Sequence, residues 1–282
     1  KCPNQCLHCS TLSSPKATDY ISFEDAKRIV EEAKEIGLEK VILSGGEPLI
    51  YTELIPLLNF FFFFSLEVII YTSGAILNSN NQIDFVPKSL LEQINEFGIV
   101  RYNLSIHNSK FEIHDKFMST KGSWQKANRF LEICLQLKQE VHIHTVLTSL
   151  NYDNSTALST LLAEKGVRVL RVLKLVPQGR AKNNYETLKT TDIQESVFWS
   201  QVKKIKEDNI IDLKLGAHLY SLSNNTEYQC SLDADKMTIT PDGTFSVCPA
   251  FKGLSKILNS PKIETENISS LVSSEWRNKI SN

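Results

Sequence analysis

Residues 40–48 read KVILSGGEP, and this stretch sets the pattern for most of the chain. Val41, Ile42 and Leu43 form a short apolar run that stops at two glycines, an acid and a proline, as a strand does when it ends in a tight turn. Pro48 cannot carry the strand on. Just upstream, Ser22 with Asp25 reads as a capping box. Ala26, Ile29, Val30, Ala33 and Ile36 then recur at helical spacing until Gly37 ends the helix. Downstream the alternation repeats: helix 54–64, strand EVIIYTSG (67–74), helix 89–96, strand VRYNLSIH (100–107), helix 123–139 and strand EVHIHTVLT (140–148). Helix 156–164, strand VRVLRVLKLV (167–176) and a polar-faced helix over about 193–206 complete the series.

Serial βα units predict a parallel sheet with right-handed crossovers. Five strands between Lys40 and Val176 are too few for an eight-stranded barrel, which takes about 250 residues. A partial barrel is the expectation, with a doubly wound open sheet as its rival. From about residue 209 the pattern changes. IIDLKLGAHLYSL (210–222) reads as one or two strands, and KMTITPDGTFSVC (236–248) alternates around a Pro-Asp-Gly turn as a hairpin does. A small β-rich unit over 209–282 is therefore expected after a larger unit over 1–208, closing in a short helix around 268–280.

With 282 residues, 41% of them hydrophobic and 22% charged, the chain can build a substantial core. A formal charge of −1 with scattered lysines and arginines argues against a nucleic-acid partner and for a small molecule or peptide. The apolar stretch 54–66, with the run Phe60 to Phe64, is too short to span a bilayer and reads as a buried helix. No signal peptide is visible, although a motif cysteine at position 2 suggests that natural residues precede Lys1. Six cysteines grouped as three, one and two do not resemble a secreted disulfide framework, so a reducing cytoplasm is expected.

The chemistry concentrates in CPNQCLHCS (2–10). Cys2, Cys6 and Cys9 on one short loop suit three corners of a cubic iron-sulfur cluster, leaving the fourth iron free for an exogenous ligand. The competing reading is a tetrahedral zinc knot completed by His8 or another side chain. Adjacent His8 and Cys9 are poorly placed to aim at one ion.

Followed by a βα series with GGEP, the C-x3-C-x2-C triad resembles the radical S-adenosylmethionine superfamily, and the resemblance extends over essentially the whole chain. It implies an α/β fold, a partial (β/α)6 TIM-like barrel, that binds a [4Fe-4S] cluster and S-adenosylmethionine. Reductive cleavage of the latter to a 5′-deoxyadenosyl radical would precede hydrogen-atom abstraction from substrate. The family's barrel starts with a strand ahead of the triad, so this chain is expected to lack its first strand. His8 falls where the family has an aromatic residue beside the adenine. Gly45, Gly46, Glu47 and Pro48 match the methionine-binding motif, the glycines admitting the ligand to the backbone and Glu47 accepting from its ammonium group. Thr72, Ser73 and Gly74 stand where Thr-Asn-Gly is common, and Ser105 and His107 where Ser-x-Asp is common. Ser105 is expected to touch the cofactor, while His107 faces the substrate or is an ordinary strand-end histidine. Val176 would meet adenine through its backbone, and Gln178 and Arg180 would line the mouth, a solvated surface charge being the plainer reading for Arg180. His144 and Cys134 read as structural.

Cys230 and Cys248 with Gly243, a C-x12-G-x4-C pattern, resemble the first half of the SPASM/twitch extension. That likeness implies a twitch-like domain and an auxiliary iron-sulfur cluster. No cysteine follows Cys248, however, and two thiolates do not complete such a cluster. The pair is then either an incomplete ligand set, a site finished by another group, or two buried thiols. The C-terminal likeness favours a peptide or protein side chain as substrate, with flavodoxin or ferredoxin as electron donor. A small-molecule step in cofactor biosynthesis and a non-catalytic zinc-stabilised binding module are the alternatives. No general acid or base is nominated, because control of position replaces acid-base chemistry when a radical abstracts hydrogen.

Overall fold

The computed structural model describes residues 1–216, 219, 236–249, 257, 259–263 and 267–273. In chain order the elements are α1 (Phe23–Glu35), β1 (Lys40–Leu43), a 3-10 turn (Pro48–Ile50), α2 (Leu54–Phe63), β2 (Glu67–Thr72), β3 (Ala75–Leu77) and β4 (Ile83–Phe85). They continue with α3 (Lys88–Glu96), β5 (Val100–Ser105), α4 (Phe111–Met118), α5 (Ser123–Gln136), β6 (Val141–Leu147), α6 (Ser155–Glu164) and β7 (Val169–Lys174). After these come α7 (Arg180–Asn183), α8 (Tyr185–Leu188), α9 (Asp192–Asp208), β8 (Asp212–Leu215), β9 (Thr238–Ile239), β10 (Phe245–Ser246) and α10 (Ile268–Ser273).

Six strands form one parallel sheet in the order β1-β2-β5-β6-β7-β8. The order never reverses. A doubly wound sheet turns back at a switch point, so the monotonic order identifies a barrel segment. The two faces differ sharply. Val68 and Ile70, Tyr102 and Leu104, Ile143, Leu170 and Val172, and Leu213 and Leu215 point outward into a core shared with Leu58, Phe61, Leu91, Phe130 and Phe198 of the helices. The inner face carries the alternate residues, among them Tyr71, Asn103, Ser105, His144 and Arg171. Aliphatic Ile69, Val146 and Leu173 share the inner face with these polar residues, so the chamber wall is mixed while the outer face is almost wholly apolar.

Three expectations are corrected by the packing. The strand at 212–215, assigned from sequence to the C-terminal unit, pairs with β7 in parallel and is the sixth barrel strand, so the barrel extends past residue 208. Its alternation of Leu213 and Leu215 with Asp212 and Lys214 is the same inside-outside pattern as its neighbours. Helix α2 is only half-buried: Leu54, Leu57, Leu58 and Phe61 face the core, while Phe63 is 79% exposed. Helix α4 and the small antiparallel pair β3–β4 interrupt the simple βα series. Among the described residues no helix is long and apolar enough to cross a membrane.

The hairpin expected around 241–243 is present as β9 and β10, with Thr244 and Thr240 bonded to Asp242 and Gly243 at φ +76°. It shares a small core of Ala33, Phe245, Val247, Ile263, Ile268 and Leu271 with α1. Arg28 and Glu32 of α1 fix this unit. Arg28 donates to the Ile263 carbonyl at 3.0 Å, and Glu32 accepts from the Ile268 amide at 2.8 Å.

Candidate functional site

The cysteine loop lies at the C-terminal ends of the strands, where βα loops converge in barrels. Its backbone is held mainly by the segment that follows β7. Arg180 donates from Nη1 to the Cys6 carbonyl at 3.1 Å and from Nη2 to the Ser13 carbonyl at 2.7 Å. The amides of Arg180 and Ala181 donate to the carbonyls of Thr11 and Cys9, and Asn184 Nδ2 donates to that of Leu7. A Cβ on Gly179 would stand 2.5 Å from the backbone of Ser10 and Thr11, so only glycine permits this approach. From the other side the Leu7 amide donates to the Phe117 carbonyl of α4, and the sulfurs of Cys6 and Met118 lie 3.5 Å apart.

The thiols of Cys2 and Cys9 sit close enough to Cys6, and Cys9 close enough to Cys2, to disfavour ionisation there. Burial pushes the Cys2 thiol up to about 12, with further upward pressure from Glu47 and Cys9. Cys6 is pushed well above the usual thiol range by burial and by Cys2 and Cys9. Neighbouring buried thiols resist ionising together unless a cation joins them. Among the described residues, no three His, Cys, Asp or Glu side chains are gathered tightly enough to hold a single metal ion. A cubic cluster places each thiolate on a different iron and so needs a wider set. Asn4, inside the loop and 1% exposed, has no hydrogen-bond partner for either end of its amide. A donor set of three thiols with an orphaned amide among them fits a sulfide-rich cluster, which Cys2, Cys6 and Cys9 would hold.

The GGEP turn abuts this loop. The Glu47 amide donates to the Lys1 carbonyl at 2.9 Å, and a Cβ on Gly46 would fall 1.8 Å from that same carbonyl oxygen. Gly46 thus admits the chain's own N-terminal segment, where a ligand was expected. Gly45, at φ +120° with open space beside it, is the glycine with room for one. Glu47 is 4% exposed and its carboxylate is fully engaged. Oε1 accepts from the Thr72 hydroxyl at 2.7 Å and the Leu49 amide at 3.2 Å; Oε2 accepts from the Ser73 amide and hydroxyl at 2.8 and 2.7 Å. Burial raises its pKa, against the opposing pull of these four bonds. The side chain expected to receive an ammonium group ties the turn after β1 to the end of β2. Thr72 and Ser73 are its partners, and Pro48 starts the 3-10 turn.

Of the other expected residues, Ser105 is half-buried at the end of β5, in register with His144. The Val176 carbonyl accepts from the Gln178 amide at 2.8 Å. The sequence missed a histidine cluster. His8 meets His107 edge-on and Phe117 at a tilt, both at 4.5 Å, and His107 stacks on Phe117 at 4.2 Å. His114 Nδ1 accepts from the His107 amide at 3.1 Å. Burial lowers all three, His8 to about 3 and His114 to about 4, so these rings are neutral. The spacing of His114, Phe117 and Met118 on one face of α4 was the signal available. Cys134 is buried in the core as expected, and Cys248 is half-buried against the small C-terminal core. Cys230 lies outside the described residues. A surface depression of about 700 Å³ lies around Arg168 and Asn209, at the end of the sheet away from all of these groups.

Residues 1–159 match the radical SAM superfamily. The chain is 26% identical over 216 residues to the AdoMet-dependent heme synthase of Methanosarcina barkeri, covering 76% of this chain and 58% of that protein. It is 26% identical over 270 residues to the GTP 3′,8-cyclase of Clostridium perfringens, covering 89% and 78%. The chain thus spans well under two thirds of the heme synthases it matches, 58% in one and 49% in another. In fold it resembles SuiB of Streptococcus suis solved with its precursor peptide SuiA, with a TM-score of 0.80, 17% identity, and coverage of 100% and 64%. It also resembles anSMEcpe with bound AdoMet, at a TM-score of 0.72, 17% identity, and coverage of 99% and 79%.

Proposed function

The chain belongs to the radical SAM superfamily, whose members work with a [4Fe-4S] cluster and S-adenosylmethionine, and from that premise we propose that it is a radical enzyme acting on a peptide or protein side chain. The observation that carries the proposal is the Cys2, Cys6 and Cys9 loop, clamped by Arg180 and Asn184 beside the GGEP turn. The cluster, when bound, supplies the electron that splits S-adenosylmethionine and yields a 5′-deoxyadenosyl radical. The three cysteines would hold it. Gly45 and the backbone around Glu47 would receive the methionine end, with Ser105 and Val176 toward the nucleoside and His8 beside the adenine. Glu47 fixes that turn through Thr72 and Ser73, so the receiving backbone is set before any ligand arrives. The inner face positions the substrate carbon and keeps water from the radical, which reacts with whatever hydrogen is nearest.

A peptide substrate is favoured by the fold-level likeness to SuiB over the whole length of this chain. The GTP cyclase and heme synthase similarities support the alternative, a small-molecule step. Flavodoxin or ferredoxin would supply electrons. After anaerobic reconstitution, the protein should release 5′-deoxyadenosine from S-adenosylmethionine when given dithionite, and Cys2→Ala, Cys6→Ala or Cys9→Ala should release none. Stoichiometric zinc with no iron uptake would overturn the proposal. An auxiliary cluster at Cys230 and Cys248 would show as iron beyond one cube that disappears when both are changed to alanine.

A further inference from the structure

We propose that the inner face of the sheet holds a subsite for an anionic oxygen group of the substrate, with Arg171 as its cation; this deepens, and rests on, the reading of the barrel as a substrate chamber. Arg171 lies between Leu170 and Val172, which are buried in the outer core, and strand alternation turns it to the inner face. Register places it in one row with Ser105, His144 and Lys214 across four strands.

Every other cation of this face has a carboxylate. Lys40 pairs with Glu67 at 2.8 Å, Lys214 with Asp212 at 2.9 Å, and Arg101 lies 3.7 and 3.8 Å from Glu67 and Glu140. His142 reaches Glu140 at 2.8 Å. Among the described residues no carboxylate pairs with Arg171, although it is half-buried, and both His142 and His144 feel its positive charge. A partly desolvated guanidinium left without a counter-charge is unfavourable until an anion arrives, and its planar fork matches carboxylate or phosphate oxygens.

Two buried neighbours are also unfinished. His144 is 5% exposed with no partner on Nδ1, which donates to an anion in its Nδ1–H tautomer, and Asn103 is 3% exposed with an unpartnered Oδ1, an acceptor that would take a donor group of the same substrate. The rings of Tyr71 on β2 and His144 on β6 meet edge-on at 5.1 Å across β5. The row also lies at a useful depth. His107, two residues beyond Ser105 on the same face, touches His8 of the cysteine loop, and successive same-face residues of a strand are about 7 Å apart. An anion held at Arg171 would leave the substrate atoms a few bonds away beneath that loop, where the radical forms.

The test is calorimetric titration of the reconstituted, S-adenosylmethionine-saturated protein with inorganic phosphate, N-acetylglutamate amide and the neutral N-acetylglutamine amide. At least one anion should bind saturably and the neutral amide should not. Arg171→Gln should weaken binding tenfold or more, and Arg171→Met, which keeps the packed stem, serves in its place if that variant does not fold. Tighter phosphate binding identifies a phosphorylated substrate, and tighter glutamate binding an acidic peptide. If neither anion binds, or binding survives loss of the guanidinium, the subsite does not exist. Because the readout is binding, failure of the wild-type protein to cleave S-adenosylmethionine would overturn the functional reading separately.

Discussion

Arg180 is a residue whose role depends on partners that are remote in the chain. Its guanidinium bonds carbonyls 174 and 167 residues upstream, so nothing near it in sequence distinguishes it from a solvated charge. Hydrogen bonds from a charged donor contribute about 1.5–3 kcal/mol each, and both fall on the loop that carries the cysteines. Arg180→Ala should therefore fold yet lose its cluster to a chelator at least tenfold faster than wild type, followed by the decay of its visible absorbance. Arg180→Lys should lie between, having no fork to span two carbonyls. The two motif glycines separate in the same way. Gly46→Ala should abolish iron uptake, because its methyl group would occupy the position of the Lys1 carbonyl. Gly45→Ala meets no atom within 4 Å and pays only for its backbone angle, about 1–3 kcal/mol, so iron uptake should persist. Equal iron content in the two variants would show that the contact with Lys1 is not what makes Gly46 necessary. Sequence singled out both glycines but could not say which is packed against the chain's own backbone and which has open space beside it.

Among the elements, those with strong periodicity were legible: the six strands and the long helices follow the apolar spacing of residues such as Val30, Ala33, Leu104 and Phe130. Helix α4 was not, because its eight residues carry too few turns to stand out, and its buried positions include a histidine. The site depends on it all the same, since Phe117 and Met118 support the cysteine loop. Contacts between distant elements were equally hidden. Glu32 of α1 caps the first turn of α10 through the Ile268 amide while pairing with Arg28 at 3.0 Å. Glu32→Ala removes that cap and should cost about 0.5–2 kcal/mol. Amide exchange at Ile268 and the residues after it should accelerate, while exchange in β2, β5 and β6 stays unchanged. Acceleration spread evenly over both regions would mean that the C-terminal unit does not open separately.

For the whole molecule, the monotonic strand order makes one wall of a chamber, and that wall and its rim bury neutral histidines. His114 and His144 are lowered to about 4 and about 3, chiefly by burial, with His107 well below its ordinary value. In the unfolded chain each titrates near 6.5. The unfolded state therefore takes up protons first as pH falls, and stability present above about 6.5 is lost progressively toward the folded values. Each such histidine removes about 1.4 kcal/mol per pH unit over that window. Burial raises Glu47, which acts in the opposite sense: its contribution is complete below its unfolded value of 4.5 and is lost as pH rises through its higher folded one. The histidines outnumber it. The metal-free protein should accordingly lose urea resistance steeply between pH 6.5 and 5. His144→Phe, which keeps a ring against Tyr71, should flatten that dependence by about one proton. A urea midpoint that stays constant from pH 7 to 5 would mean that these rings reach water in solution, and the chamber would then be more open than the burial of His144 against Tyr71 implies.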